Sequence, residues 1–231
     1  MKQLNLTISS AFRNSPQRQI DRWVSQVRAL LDACPEYVVT AAPVEGDSTN
    51  DTYTRLVDAM DAADISGTVH VCNHGGPMYG SVENPDRMRN LSKVLNCCLD
   101  ACKPDAHVFM FVESDLIWSP NAVRGLVSTL LLDPSFDVLA PLVFAGQYFY
   151  DVWGFRKDGT RFSPLSPYHS GMSLSADITE VDSVGSCFVA RADKIQEARA
   201  ESGALVEWCD RMRALGSRIG VTPLFQVEHP R

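Results

Sequence analysis

Two carboxylates spaced two residues apart, Glu113 and Asp115, follow the apolar run Phe109-Met110-Phe111-Val112. If that run is a strand ending in a turn, both acids can face a single ion. Hard cations such as Mg²⁺ and Mn²⁺ take oxygen ligands, and one or two carboxylates completed by substrate phosphates is the common arrangement. Such an ion neutralises the charge that develops on a departing phosphate group. The same acids could instead follow a strand and cap the next helix, because an acid is favoured near a helix N-terminus. The spacing alone leaves both readings open.

Further stretches offer polar groups where strand-like segments end. Glu45-Gly46-Asp47-Ser48 presents a carboxylate to a ribose hydroxyl or a base N–H, or forms a plain turn, since Gly, Asp and Ser all favour turns. His229 is either a surface residue or a third metal ligand from a distant strand. Asp151-Val152-Trp153-Gly154-Phe155-Arg156 joins an acid to aromatic faces that suit sugar rings, with a core strand edge as the alternative. In the run from Glu180 to Ser186, Gly185 would let a ligand approach the backbone. Arg87 with Arg89, and Arg156 with Lys157 and Arg161, form basic patches.

The elements between these groups must position them. Residues 4–12 alternate and are rich in β-formers, which predicts a strand. Ile20, Trp23, Val24, Val27, Leu30 and Leu31 recur at helical spacing, with Ser15 as expected N-cap and Pro16 in the first turn. Strands are expected at 36–42, 67–73, 107–112 and 137–144. Helices are expected at 51–63, 85–102 and from Ser119-Pro120 to 132. The last third reads as strands at 148–156 and 180–191, a helix over 205–215 ended by Gly216, and a strand over 218–227. This order predicts an α/β fold: one domain over 1–231, with a mostly parallel central sheet, helices on both faces and a small antiparallel sheet toward the C-terminus. Ligands in such sheets sit beyond the carboxyl ends of the strands. The loops at 9–13, 43–50, 74–85 and 113–120 are therefore the ones to watch.

The chain has 231 residues, 45% of them hydrophobic, enough to bury a sizeable core without staples. A net charge of −7 argues against a protein coated in nucleic acid. No apolar run approaches the roughly 20 residues of a membrane span. The opening residues look strand-like and unlike a signal peptide, so a cytoplasmic location is expected. The seven cysteines form no C-x-x-C pair and no zinc spacing, and read as small buried residues.

Taken in order, Glu45-Gly46-Asp47-Ser48, Asn73-His74-Gly75-Gly76-Pro77 and Arg87-x-x-Asn90-Leu91 resemble the donor half of a GT-A (Rossmann-like) glycosyltransferase. Glu113-Ser114-Asp115 stands where that fold carries its D-x-D motif. Tyr150-Asp151-x-Trp153-Gly154-Phe155-Arg156, Val181-Asp182-Ser183-Val184-Gly185 and Pro223-x-x-x-Val227-x-His229 are similar to the fungal mannan-polymerase subunit family, glycosyltransferase family 62. The resemblance implies a donor half over about 1–116 and an acceptor half over about 117–231. It implies a divalent cation, Mn²⁺ or Mg²⁺, with Asp115, Glu113 and His229 as metal ligands. Asp115 is expected to carry most of the ligation, because the first acid is Glu rather than Asp.

The implied donor is a UDP- or GDP-linked sugar, bound by Ser9, Asp47, Arg87, Asn90, Glu113, Ser114, Asp115 and Trp153. Asp182, Asp151 and Glu207 are the candidate catalytic residues, and Ser183 would help shape the sugar pocket. The acid pair that serves inverting relatives would fall on Ala204-Leu205, which cannot titrate, so a retaining hexosyl transfer is expected. The acceptor is a hydroxyl on a glycan, on a protein, or on a hydroxymethylated pyrimidine in DNA, as modified by virus-encoded transferases such as those of bacteriophages. For a viral protein the location would be the host cytoplasm. A nucleotidyltransferase and a non-catalytic nucleotide- or sugar-binding protein are the alternatives. The first normally shows a glycine-rich basic phosphate loop, which residues 6–12 lack.

Overall fold

The computed structural model describes residues 3–80, 83–172, 175 and 177–230. In chain order the elements are β1 (Leu4–Ser9), β2 (Ala11–Phe12), α1 (Gln17–Ala33), β3 (Tyr37–Ala41), β4 (Val44–Glu45), α2 (Thr52–Ala62), β5 (His70–Val71), α3 (Pro85–Asp100) and β6 (Val108–Val112). They continue as α4 (Pro120–Leu132), β7 (Val138–Ala145), β8 (Tyr148–Phe149), β9 (Arg156–Lys157), β10 (Thr160–Arg161), β11 (Thr179–Glu180), β12 (Cys187–Arg191), α5 (Ala204–Ala214) and β13 (Ile219–Glu228).

The central sheet has the order β11-β13-β7-β12-β6-β1-β3, with β8 paired to β7. β1 runs parallel to both β3 and β6, and β7 runs parallel to β13. β12 is antiparallel to both β6 and β7, so β3, β1, β6, β7 and β13 all point the same way. The expected α/β architecture and its mostly parallel sheet are present. The antiparallel strands β12, β11 and β8 come from the C-terminal half.

The alternation of side chains along the strands sorts the core into two layers. On one face Leu6, Ile8, Val108, Met110, Val112, Cys187 and Val189 pack with Trp23 and Val27 of α1, Leu56 of α2, and Leu126 and Leu130 of α4. On the other, Phe109, Phe111, Phe188 and Ala190 pack with Leu95 and Leu99 of α3 and Trp208 and Met212 of α5. β6 is buried on both faces, as its unbroken apolar run requires.

Local chemistry explains where the elements depart from expectation. The first strand breaks at Ser10, whose hydroxyl accepts from Trp23 Nε1 at 2.7 Å. Beyond the break, β2, β4 and β5 form a separate three-stranded parallel sheet. Residues 67–73 therefore contribute only β5 as a strand, and they meet the central sheet through a single parallel bridge from Gly67 to Ala41 at the end of β3. Gly67 lies so close to β3 that a Cβ there would sit 1.8 Å from Ala41 O. Pro16, not Ser15, occupies the N-cap of α1, and no side chain caps it; the Ser15 N–H donates to Thr52 Oγ1 at 3.0 Å. Ser119 does cap α4, accepting from the Ala122 N–H at 3.2 Å. The strand expected at 148–156 stops after Phe149, because the Gly154 and Phe155 N–H groups both turn back to Asp151 O at 3.1 Å. Of 180–191, only β12 lies in the middle of the sheet.

The seven cysteines are all free thiols, and six are buried. Burial pushes the thiols of Cys98 and Cys209 up to about 12, so they pack as apolar residues and are not nucleophiles at neutral pH. Trp23 is the main tie between α1 and the strand break, fully buried and edge-on to Phe12 at 5.5 Å. Replacing it (Trp23→Ala) is expected to cost about 3–5 kcal/mol in urea denaturation.

Candidate functional site

β6 ends between the parallel β1 and the antiparallel β12, and the chain turns at once: the Leu116 N–H donates to Glu113 O at 3.1 Å. Ser114 faces into the body of the protein. Its hydroxyl donates to Ala11 O and accepts from Gln19 Nε2, both at 2.7 Å. One turn along α1, Arg22 donates to Asp115 O at 2.7 Å. Gln26 donates to Leu116 O at 3.2 Å and accepts from the Trp118 N–H at 2.9 Å. The polar edge of α1 thus fixes Ser114, Asp115, Leu116 and Trp118, while Ile117 pairs with Glu228. The sequence gives no sign of this, because Gln19, Arg22 and Gln26 look like an ordinary solvent-facing stripe.

Asp115 and His229 meet, with His229 Nε2 at 3.3 Å from Asp115 Oδ2. The ring stacks on Tyr150 (centroids 3.9 Å apart, 17° between planes), and the His229 N–H donates to Phe144 O at 2.8 Å. Asp115 Oδ1 is buried and has no hydrogen-bond partner. Glu113 stands nearby. Burial pushes its carboxyl up to about 8, and the Asp151 and Asp115 carboxylates add to the rise while Arg87 opposes it. Asp151 is buried too. Burial raises its carboxyl, and Ser186 partly offsets this by donating its N–H at 2.6 Å and its hydroxyl at 2.5 Å to Oδ2. The Glu113 N–H donates to Ser186 O at 2.8 Å, so one serine links both acids. Gly185 does not receive a ligand as the sequence suggested: a Cβ there would lie 2.4 Å from the Asp151 carboxyl, which fills the space.

Three carboxylates so close together, two of them raised in pKa, favour a cation. The orphaned Asp115 Oδ1 and the adjacent imidazole are suitable donors for Mn²⁺ or Mg²⁺. Among the described residues, no three His, Cys, Asp or Glu side chains converge as a ready-made metal site. Glu113 therefore does not complete a three-residue ligand set with Asp115 and His229. The residues fit an ion whose remaining ligands come from a substrate.

Next to this cluster, a cavity of about 210 Å³ opens where β2, β4 and β5 end. Phe12, Val44, Cys72, Leu91 and Val94 give it apolar walls, and Arg13, Arg87 and Asn90 give it polar ones. Arg87 belongs to both places, lining this cavity and acting on the Glu113 carboxyl. It is set on the first turn of α3 by Asn84, which accepts from the Asp86 and Arg87 N–H groups at 2.8 and 3.1 Å. Asp47 flanks the cavity through Gly46, but its carboxylate is engaged within the protein. It accepts from the His74 and Gly75 N–H groups at 3.1 Å and lies 3.0 Å from His74 Nδ1. Burial alone would raise Asp47; those backbone donors outweigh it and hold the carboxyl below its ordinary range. Ser9 is not brought to the cavity. It is fully buried and donates to Ala42 O at 2.7 Å.

The remaining expected residues lie elsewhere. Trp153, under the Arg161 guanidinium at 4.9 Å, lines a separate cavity with Glu207 and Asp210. Ser183 is buried, its hydroxyl donating to Gly154 O at 2.6 Å. Asp182 accepts from the Gly159 N–H at 2.7 Å and pairs with Arg213 at 3.0 Å, which ties the β9–β10 turn to α5. Glu207 Oε2 accepts the N–H groups of Glu201, Ser202 and Gly203 at 2.7, 2.7 and 2.8 Å, and Oε1 accepts from Arg211 at 2.8 Å. Burial alone would raise Glu207, but these donors prevail and hold its carboxyl at about 2. A carboxylate so saturated is a helix-entry clamp and a poor base. Tyr150 and Ser186, which carried no role in the sequence reading, hold His229 and Asp151 in place.

No family model matches the chain, and no curated protein matches it. Solved structures do. GalNAc-T7 with UDP, GalNAc and Mn²⁺ superposes with a TM-score of 0.63 at 13% identity, over 99% of this chain and 43% of that one. The mannosyltransferase PcManGT from Pyrobaculum calidifontis, in complex with GDP-Man and Mn²⁺, gives 0.63 at 11% identity, over 98% and 56%. S. aureus TarS 1–349 in complex with UDP gives 0.57 at 13%, over 99% and 60%. The chain has the GT-A fold, and it spans about half the length of these three neighbours.

Two outcomes follow from this geometry. Gly185→Ala drives a Cβ into the Asp151 carboxyl and should lower stability by about 1–3 kcal/mol, read as a fall in Tm. Glu207→Gln should destabilise the protein at pH 7. A carboxyl held at about 2 against an ordinary 4.5 contributes stability above the higher value and loses it as pH falls toward the lower. Urea midpoints of the wild type should therefore drop across that window, and those of Glu207→Gln should drop less.

Proposed function

We propose that this chain is a metal-dependent glycosyltransferase that moves a hexose from a UDP- or GDP-linked donor to an acceptor hydroxyl. Residues of about 1–116 would form the donor half and those of about 117–231 the acceptor half. The observation that carries the reading is the buried, unpartnered Asp115 Oδ1 beside His229, next to a cavity that shares Arg87 with the acid cluster. The neighbours crystallised with UDP or GDP-Man, two of them with Mn²⁺, support it at the level of reaction class.

In this reading Asp115 and His229 hold the ion, with Glu113 close by. The ion, when bound, neutralises the charge that develops on the departing diphosphate. The nucleoside lies in the cavity walled by Phe12, Val44 and Cys72, and Arg87 faces the diphosphate. α1 keeps the 114–118 turn from shifting, which matters because misplacement of about 1 Å can lower a rate about 100-fold. Of the acids nominated for catalysis, Glu207, Asp182 and Asp151 are all bonded within the protein. This supports a retaining transfer in which positioning matters more than a dedicated base. The motif likeness to family 62 agrees with that outcome. The neighbours' names lend no support to a DNA acceptor.

Titration of UDP and GDP should show binding that depends on Mn²⁺, and EDTA should abolish hydrolysis of the matching nucleotide-sugar. Asp115→Ala should lower that hydrolysis by about 100-fold or more. Turnover by Asp115→Ala at the wild-type rate would sink the proposal.

A further inference from the structure

We infer that the large cleft on the far side of the Asp115–His229 pair binds the acceptor, and that this acceptor is a neutral polyhydroxylated molecule of the mono- or oligosaccharide class. The inference rests on the transferase reading for the role of the bound molecule. The cleft measures about 640 Å³, within the range of small-molecule sites.

Its position comes from the chain path. One wall is built by residues directly after Asp115 and another by residues directly before His229. The two are bonded to each other: the Ile117 N–H donates to Glu228 O at 2.7 Å, and the Glu228 N–H donates to Ile117 O at 2.9 Å. The cleft therefore shares its boundary with the proposed metal site. It opens at the carboxyl ends of β7 and β13, whereas the nucleoside cavity opens at the ends of β2, β4 and β5. β2 and β4 follow directly from β1 and β3, and in the central sheet β6 with its acid motif stands between that pair and β7 with β13. A molecule in the cleft approaches the acid motif from the side opposite the nucleoside.

The lining names the chemical class. Phe144 and Tyr168 offer ring faces, packed 5.7 Å apart at 65°, and Ile117 adds an exposed apolar side chain. Sugar C–H faces pack on such surfaces. Gln226 and Glu228 alternate along β13, so both project from the same side, and both are exposed. With Gln147 across the cleft they supply amide donors, amide acceptors and a carboxylate acceptor, a set that matches hydroxyl groups. None of the described residues lining the cleft is a lysine, arginine or histidine. Recognition of phosphate draws on cationic or bidentate guanidinium donors, and Glu228 would repel it. A phosphorylated acceptor or a DNA strand does not match this lining; a neutral glycan does.

The test is saturation-transfer NMR on the whole chain, with cellobiose, maltose and mannobiose as neutral probes. Glucose 6-phosphate and a hydroxymethylcytosine oligonucleotide are the charged probes. At least one neutral disaccharide should bind, and its affinity should fall by about tenfold in Glu228→Gln and again in Gln226→Ala, as expected for a lost hydrogen bond to a charged group and a further one. Both sites are exposed, so the variants should fold, and circular dichroism checks this. The inference is overturned if no neutral sugar binds, if binding survives both substitutions unchanged, or if only the charged probes bind in a way that depends on these residues. UDP and GDP titrations on the same samples report separately on the donor side. Their failure counts against the transferase reading and leaves the cleft result as measured.

Discussion

The site depends on one buried carboxylate. Asp151 sits under the end of β6, away from water, where an unpaired charge would be costly. Ser186 offsets part of that cost with two donors to one oxygen, and the same residue's carbonyl receives the Glu113 N–H. Because Ser186 leads directly into β12, this contact fixes how the antiparallel strand enters the sheet beside β6. Gly185 is required just before it, since any Cβ would collide with the carboxyl. A local charge constraint therefore sets the register of the strand pair that carries the acid motif. It also leaves Asp151, Glu113 and Asp115 near one another, with His229 and Arg87 opposing their charge. That imbalance is what a bound cation would relieve.

α1 supplies the second constraint. Residues at the end of a strand are ordinarily free to move, because their backbone groups have lost their ladder partners. Here Gln19 holds the Ser114 hydroxyl, Arg22 and Gln26 take the backbone groups of Asp115, Leu116 and Trp118, and Ile117 keeps a short ladder to Glu228. The bulk of α1 is held in turn by Trp23 and Val27 in the core. Packing energy in the core is thereby converted into precision at the motif. Ser114 is the pivot: its inward hydroxyl leaves Asp115 facing His229.

Periodicity made the sheet and its helices legible in the sequence, because β6, α1, α3 and β13 each carry an unambiguous pattern of buried residues. The meeting of Asp115 with His229 was also foreseeable, since both fall at carboxyl ends of like-directed strands. Side-chain partners were not. Ser9, Asp47 and Asp182 have the residue types of a ligand site, yet each is engaged by donors or acceptors that only the folded chain brings near, and Glu207 is engaged by its own neighbours. Glu207 shows the reason most clearly. Its partners are the three backbone N–H groups of the turn before its own helix, a geometry that no side-chain pattern encodes. Tyr150 stood in a sequence motif without a role, and only the fold shows that its ring backs His229.

The topology accounts for two cavities on either side of one motif. A purely parallel sheet would place neighbouring strands in a continuous series of crossovers, with one crevice where the order reverses. In this chain β12 enters against the others, between β6 and β7. Its start, at Ser186, lies at the same end of the sheet as the finish of β6, so a C-terminal segment runs into the sheet directly under Glu113. β7 and β13 then resume the common direction one strand further on and carry their own loops to that end. The acid motif is flanked by the Arg87-lined cavity on the β1 side and by the glutamine- and aromatic-lined cleft on the β7 side. The transfer proposed for this chain would use that separation, with donor and acceptor reaching one centre from two sides. The antiparallel strand provides it, and Asp151 holds that strand in place.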